Sequence, residues 1–116
     1  MTYEQGELWL VKLDPTEGSE IRKTRPCLII SRTIINDHMR TVTVIPLSGI
    51  KKHKSVLIVP ISANETNGLS KDSNIIIPQI RTISKSRFKK KLGQIDPGLF
   101  ENIKESFQTY FWDGVG

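Results

Sequence analysis

Between Glu7 and Ile95 the apolar runs of this chain are all short, and each is closed by Pro, Gly, Asn, Asp or Ser. Short β-branched and aromatic runs ended by turn residues read as strands, and a series of them leads to an all-β sheet or barrel. Residues 7–13 are the first such run, closed by Asp14-Pro15. Residues 26–30 are the second, with Pro26 expected at the first strand position, where a missing N–H costs least. Residues 41–47 form a third strand, reached through a turn at Asn36-Asp37-His38. Residues 55–61 form a fourth, in which Pro60 demands an edge or a bulge because proline cannot donate to a ladder. Residues 65–72 read as a surface connection, 74–83 as a strand interrupted at Pro78, 84–88 as a short helix and 91–95 as a last strand.

The period changes after Asp96, a good N-cap followed by Pro97 at the first helical position. Leu99, Phe100, Ile103, Phe107 and Phe111 then recur at spacings of three and four, giving a helix with one apolar face. The expected fold is mainly β with a C-terminal helix: a small β-barrel or strongly bent sheet packed by that helix. The 116 residues suit one domain spanning 1–116. Residues 8–11 and 74–77 do not alternate cleanly, so these strands bury both faces. Either the helix or a second copy of the chain would cover the outer one.

No apolar run approaches the roughly 20 residues that span a bilayer. The first six residues lack the basic and apolar regions of a signal peptide, and the single cysteine, Cys27, agrees with a reducing compartment. A soluble cytoplasmic protein is expected. Lys and Arg number 17 against 12 acidic residues, a net charge of +5. That excess favours a polyanionic partner; a merely solvated basic surface is the other reading.

One block combines several residues at fixed offsets: Gly6-Glu7-Leu8-Trp9, then Leu13-Asp14-Pro15-Thr16-Glu17-Gly18-Ser19-Glu20, then Thr24-Arg25-Pro26. It resembles the opening motif of the MazF/PemK toxin family. Val44-Ile45-Pro46-Leu47-Ser48 resembles the family's third-strand motif, which usually ends in threonine, and Gln79-Ile80-Arg81-Thr82-Ile83 its later Gln-x-Arg-Thr-Ile segment. The resemblance runs from about Gly6 to Phe111. It implies an SH3-like barrel, a homodimer, and sequence-specific, metal-independent cleavage of single-stranded RNA to 2′,3′-cyclic phosphate and 5′-hydroxyl ends. It also implies inhibition by an acidic antitoxin, as in type II toxin–antitoxin systems.

Such cleavage builds negative charge on phosphoryl oxygens, and a guanidinium offers them a planar fork of donors. Arg25, beside Pro26, takes that catalytic role by the resemblance. Ser48 stands at the family's catalytic threonine; it keeps the hydroxyl and loses the methyl that stiffens χ1. A surface ion pair for Arg25 and a turn-capping hydroxyl for Ser48 are the plainer alternatives. RNA contacts are expected from Ser19, Glu20, Arg22, Lys23, Thr24 and Gln79, and from Lys51, Lys52 and Lys54 after Ser48. The lysine cluster also reads as a solvated hairpin tip, and Lys89-Lys90-Lys91 as a solvated face.

Arginine titrates above about 12 and is a poor proton carrier near neutrality. Glu20 either accepts a proton or anchors its loop through backbone N–H groups. In the PemK/Kid branch an Arg-x-Asp pair precedes the glutamine and a histidine lies in the first loop; here those places hold Ile76, Pro78 and Ser19. His38 reads as a solvated turn residue and His53 as part of a phosphate-binding surface. With Cys27, expected as inert packing, they have no metal-ligand spacing, so neither metal nor cofactor is expected. Two other functions remain open. One is a DNA gyrase poison of CcdB type, suggested by Phe111-Trp112-Asp113-Gly114 at the tail. The other is an RNA-binding module without catalysis.

Overall fold

The computed structural model describes residues 1–13, 23–49 and 55–114. Its strands are β1 (Glu7–Lys12), β2 (Thr24–Ile29), β3 (Thr41–Gly49), β4 (Ile58–Ile61), β5 (Ser73–Ile76), β6 (Arg81–Ser84) and β7 (Phe88–Gln94). Helix α1 (Thr33–His38) lies between β2 and β3, α2 (Pro97–Phe111) follows β7, and 3₁₀ turns occupy Ile77–Gln79 and Lys85–Arg87. The sheet is antiparallel, ordered β4-β5-β3-β2-β1-β7, with β6 also on β3. Mainly β with a C-terminal helix is therefore the observed class.

The long strand β3 serves different partners along its length. One edge meets β2, from Cys27↔Pro46 to Ile29↔Val44. The other meets β6 along Thr41–Val44 and β5 along Leu47–Gly49. From Leu47↔Ile75 to Val44↔Arg81, β3 moves three residues while the facing chain moves six. The excess is taken up in the 3₁₀ turn, where Pro78 needs no ladder partner. The interruption expected at Pro78 thus separates two registers. Pro60 sits in β4, at one edge of the sheet, as its missing N–H required.

Alternation along the strands sorts the core onto both faces. Leu8, Leu28, Ile45 and Leu47 join one cluster, which α2 covers with buried Ile103 and half-buried Leu99, Phe100 and Phe107. Trp9, Val11, Cys27, Ile29, Val42 and Val44 join the other. That face is covered by Tyr3, Ile83 and Phe88, whose aromatic rings lie 4.9 Å (Tyr3–Trp9) and 5.0 Å (Tyr3–Phe88) apart. Both faces are thus closed within one chain, so the double-sided strands require no second copy.

Strands β4 and β7, the two ends of the sheet order, do not pair with each other. The connection between β4 and β5 links them instead: the Gln94 N–H donates to the Thr66 carbonyl at 3.0 Å. Buried Asn67 shapes that connection, donating to the Ser62 carbonyl at 2.8 Å and accepting from the N–H groups of Asn64 and Leu69. Gly68 adopts φ +68 there and packs directly on the Leu92 carbonyl, where a Cβ would collide with backbone. The structure is barrel-like, with backbone of a loop completing what strand pairing leaves open.

Several boundaries differ from expectation. Residues expected as a turn form α1, anchored by buried Asn36, which donates to the Tyr3 carbonyl at 2.8 Å and the Ser31 carbonyl at 3.0 Å. Its period was too short to show in the sequence. Residues 55–57 form a turn before β4, with the Ile58 N–H donating to the Ser55 carbonyl. Pro26 is the third residue of β2, placed just before pairing with β3 begins. Strand β7 starts at Phe88, because β1 supplies partners as far as Val11. The final turn of α2 runs past the cluster that Ile103 enters, leaving Phe111 49% exposed and stacked on Phe107.

Candidate active site

Arg25 lies on β2 opposite Val11, and Ser48 on β3 opposite Asn74. Strands β2 and β3 pair from Ile29↔Val44 to Cys27↔Pro46. The same register carried two residues farther sets Arg25 across from Ser48, on the face of Cys27 and Pro46. Pro46, without an N–H, stands where β3 turns from β2 toward β5. Beyond it a cleft of about 250 Å³ opens, lined by Thr24, Arg25, Ser48, Gly49, Lys71 and Ser73 among others.

Arg25 and Ser48 are half-buried, held by strands yet reachable. The Ser48 hydroxyl donates to the Gly49 carbonyl at 3.4 Å, a long and weak bond that leaves the hydroxyl easily turned. Lys71 leans over Gly49: a Cβ on that glycine would lie 3.7 Å from the Lys71 ammonium. A guanidinium, an ammonium and a hydroxyl around one small concavity form a set of donors suited to a phosphate.

Beneath this row Cys27 is fully buried, and burial pushes its thiol up to about 12 against the opposing pull of the Arg81 charge. A thiol held protonated so far above neutrality is packing, not a nucleophile. Arg81 pairs with Val44, whose side chain shares the Cys27 face of the sheet. Arg81 donates to Gln79 twice, from Nη2 to the side-chain oxygen at 2.8 Å and from Nε to the backbone carbonyl at 3.2 Å.

Among the expected contact residues, Thr24 joins Arg25 and Ser48 in the cleft, while Gln79 stands outside it in the 3₁₀ turn. Lys23, exposed at φ 68, leads into β2 and accepts the Leu13 N–H on its carbonyl at 2.9 Å. Ser19, Glu20, Arg22, Lys51, Lys52, Lys54 and His53 lie outside the described residues. Lys71 and Ser73 were missed. Nothing local tied that surface connection to Arg25; the pairing of Gly49 with Ser73 brings it there. Of the lysine run, Lys89 and Lys90 are exposed, but Lys91 is not merely solvated: it bonds Glu7. Exposed His38 ends α1, with Nδ1 2.7 Å from the Ile34 carbonyl. Among the described residues no three His, Cys, Asp or Glu side chains gather as a metal site. No helix of the described residues is long and apolar enough to cross a membrane.

Residues 4–111 match the family of PemK-like, MazF-like toxins of type II toxin–antitoxin systems. The chain belongs to this family. It is 33% identical over 109 residues to endoribonuclease EndoA of Bacillus subtilis (strain 168), covering 93% of each chain. To endoribonuclease MazF of Staphylococcus saprophyticus it is 39% identical over 103 residues, covering 88% of this chain and 85% of that one. The crystal structure of MazF from Deinococcus radiodurans shares the fold with TM-score 0.79 at 18% identity, covering 95% of this chain and 96% of the other. In this PemK-like, MazF-like chain, the strand motifs around Arg25 and Ser48 are the ones that meet at the cleft.

Proposed function

We propose that this chain is the toxin of a type II toxin–antitoxin pair and a metal-independent endoribonuclease acting on single-stranded RNA. The observation that carries this reading is the meeting of Arg25 and Ser48, from different strands, at one cleft with Lys71. The relatives named endoribonuclease support it.

In the proposed reaction the RNA 2′-oxygen attacks the adjacent phosphorus as its proton leaves. The bond from phosphorus to the 5′-oxygen breaks, and that oxygen gains a proton. The products are a 2′,3′-cyclic phosphate and a 5′-hydroxyl. Arg25 faces the charge that grows on the phosphoryl oxygens, fixed in direction by the strand that carries it. The Ser48 hydroxyl donates to the same phosphate, and Thr24 and Gln79 contact the flanking nucleotides. Ser19, Glu20, Arg22, Lys23, Lys51, Lys52 and Lys54 extend a cationic and polar track for the strand.

The partners proposed are an acidic antitoxin, which suits the net charge of +5, and a second copy of the chain in the cytoplasm. For the homodimer, exposed Tyr110, Phe111 and Trp112 at the end of α2 supply an apolar surface that the monomer leaves uncovered. The protein is proposed to be one domain over residues 1–116. Incubation with RNA, and separately with DNA gyrase, tests the reading: RNA is expected to be cut and supercoiling to be unaffected. Gyrase inhibition with intact RNA would place the protein with the poisons instead.

A further inference from the structure

Cutting the RNA backbone leaves a 5′-oxygen that must gain a proton, and that alkoxide is a far stronger base than an amine. Arginine holds its protons too tightly to supply one, and serine and threonine hydroxyls are much weaker acids than an ammonium. Among the described residues that line the cleft there is no carboxyl and no imidazole. Lys71 alone among them combines a positive charge with a proton that can pass to an alkoxide and be recovered from water.

The strand pairing puts this ammonium in a particular place. Arg25 reaches the level of Ser48 from the β2 side of β3, whereas Lys71 comes from the β5 side, two residues before Ser73, which pairs with Gly49. Buried Ser73 donates from its hydroxyl to the Lys71 carbonyl at 3.0 Å, which fixes the backbone that carries the side chain. From there the ammonium lies over Gly49, next in the chain to Ser48. The adjoining Asp72 does not neutralise it, since its carboxylate accepts the Ala63 N–H at 2.8 Å. Among the described residues the Lys71 ammonium is in no ion pair.

The Ser48 hydroxyl thus stands between two cations that approach from opposite edges of one strand. In an in-line displacement the entering and leaving oxygens also lie on opposite sides of phosphorus. With Arg25 and Ser48 on the non-bridging oxygens, a cation on the far flank faces one of those two apical atoms. At the 2′-oxygen a proton must be taken away, and an ammonium has no lone pair to take it. At the 5′-oxygen a proton must be given.

We infer that Lys71 is the catalytic acid, donating from Nζ to the leaving 5′-oxygen. The 2′-oxygen attacks phosphorus and releases its proton to water. The bond from phosphorus to the 5′-oxygen breaks with its electron pair on that oxygen, which takes the Lys71 proton, and water then reprotonates the neutral amine. This inference rests on the ribonuclease reading given above.

The test compares two RNA oligonucleotides, one natural and one with sulfur in place of the 5′-oxygen at the mapped cut, under single-turnover conditions. A thiolate leaves without needing a proton. Lys71→Gln is expected to cut the natural strand about 10²-fold or more slowly, the usual worth of a general acid, yet to cut the sulfur strand at nearly the wild-type rate. Lys71→Arg restores the charge but not a transferable proton, and is expected to stay slow on the natural strand. Arg25→Ala is expected to be slow on both. The Lys71 side chain is exposed, and its bond with Ser73 uses only the backbone, so both variants are expected to keep the native circular dichroism.

An equal loss by Lys71→Gln on the two strands would reduce Lys71 to a phosphate-binding charge and overturn the inference. So would normal cutting of the natural strand by Lys71→Gln or Lys71→Arg, or a wild type that cuts the natural strand but not the sulfur one. A wild type that cuts neither overturns the ribonuclease reading and this inference together.

Discussion

Glu7, buried in β1, bonds across the strand edge to Lys91 of β7, with 2.8 Å between Lys91 Nζ and the carboxylate Oε2. Its other oxygen accepts from the Trp9 indole and the Glu4 N–H, each at 3.0 Å. Burial alone would push this carboxyl up. The bonds from Lys91, Trp9 and Glu4, with the Lys91 charge, outweigh burial and hold it below its ordinary value.

A carboxyl with a depressed folded pKa stabilises the fold fully above the unfolded value of about 4.3. That contribution declines as pH falls below it and is gone once the folded form is protonated. Urea denaturation of the wild type is expected to show this acid loss, and Glu7→Gln a flatter acid limb. Lys91 is 44% exposed, so Lys91→Met is expected to cost only about 1 kcal/mol at neutral pH. Glu7→Ala strands the indole and backbone donors and is expected to cost about 1–3 kcal/mol.

Gly68 packs on the Leu92 carbonyl at positive φ. Gly68→Ala combines backbone strain with a steric clash against main chain and is expected to destabilise by more than about 1 kcal/mol. Denaturant midpoints check this. A neutral outcome would mean that the connection from β4 to β5 does not hold the barrel shut.

Arg25→Ala is expected to lower RNA cleavage by about 10²–10³-fold or more while changing stability by about 0.5 kcal/mol or less. Cleavage assays and circular dichroism on the same preparation measure both. Normal cleavage by a folded variant would sink the assignment.

Ser48→Ala is expected to lower kcat strongly, and Ser48→Thr to retain activity because the hydroxyl survives and χ1 stiffens. Steady-state rates on one oligonucleotide compare them. If both variants match the wild type, Ser48 only ends its strand.

Cleavage is expected to persist in excess EDTA and to leave a cyclic phosphate, since the nucleophile is the substrate's own 2′-hydroxyl. One deoxyribose upstream of the cut should block that bond yet barely weaken binding, because the other phosphate contacts remain. That oligonucleotide should compete with substrate. Loss of activity in EDTA with recovery in magnesium would refute the mechanism.

Much of this molecule was written locally. Asp96-Pro97 announced α2, and the Asp96 carboxylate accepts the Leu99 N–H at 3.1 Å. Pro60 called for an edge or a bulge, and β4 lies at an edge; the strands from 7 and 41 began where their β-prone runs did. Arg25 and Ser48 were legible because each sits in a motif of fixed offsets. Their neighbour in space was not: Lys71, which lines the same cleft, carries no local mark. Helix α1 was missed because its stability comes from Asn36 reaching Tyr3 and Ser31.

By itself the sequence determined strand content, the terminal helix, the basic balance and the two residues proposed for catalysis. Strand content, the helix and the basic balance depend on propensity, period and charge, which each segment carries alone; the two catalytic candidates come from the resemblance of their motifs to the family. Only the tertiary structure decided that β3 splits its edge between β5 and β6, and that Tyr3 and Phe88 rather than a second copy cover the Trp9 face. It also decided that Lys71 overhangs Gly49, beside Ser48. Such facts depend on register between distant strands. A register is set by how all the buried faces fit at once, so no single segment contains it.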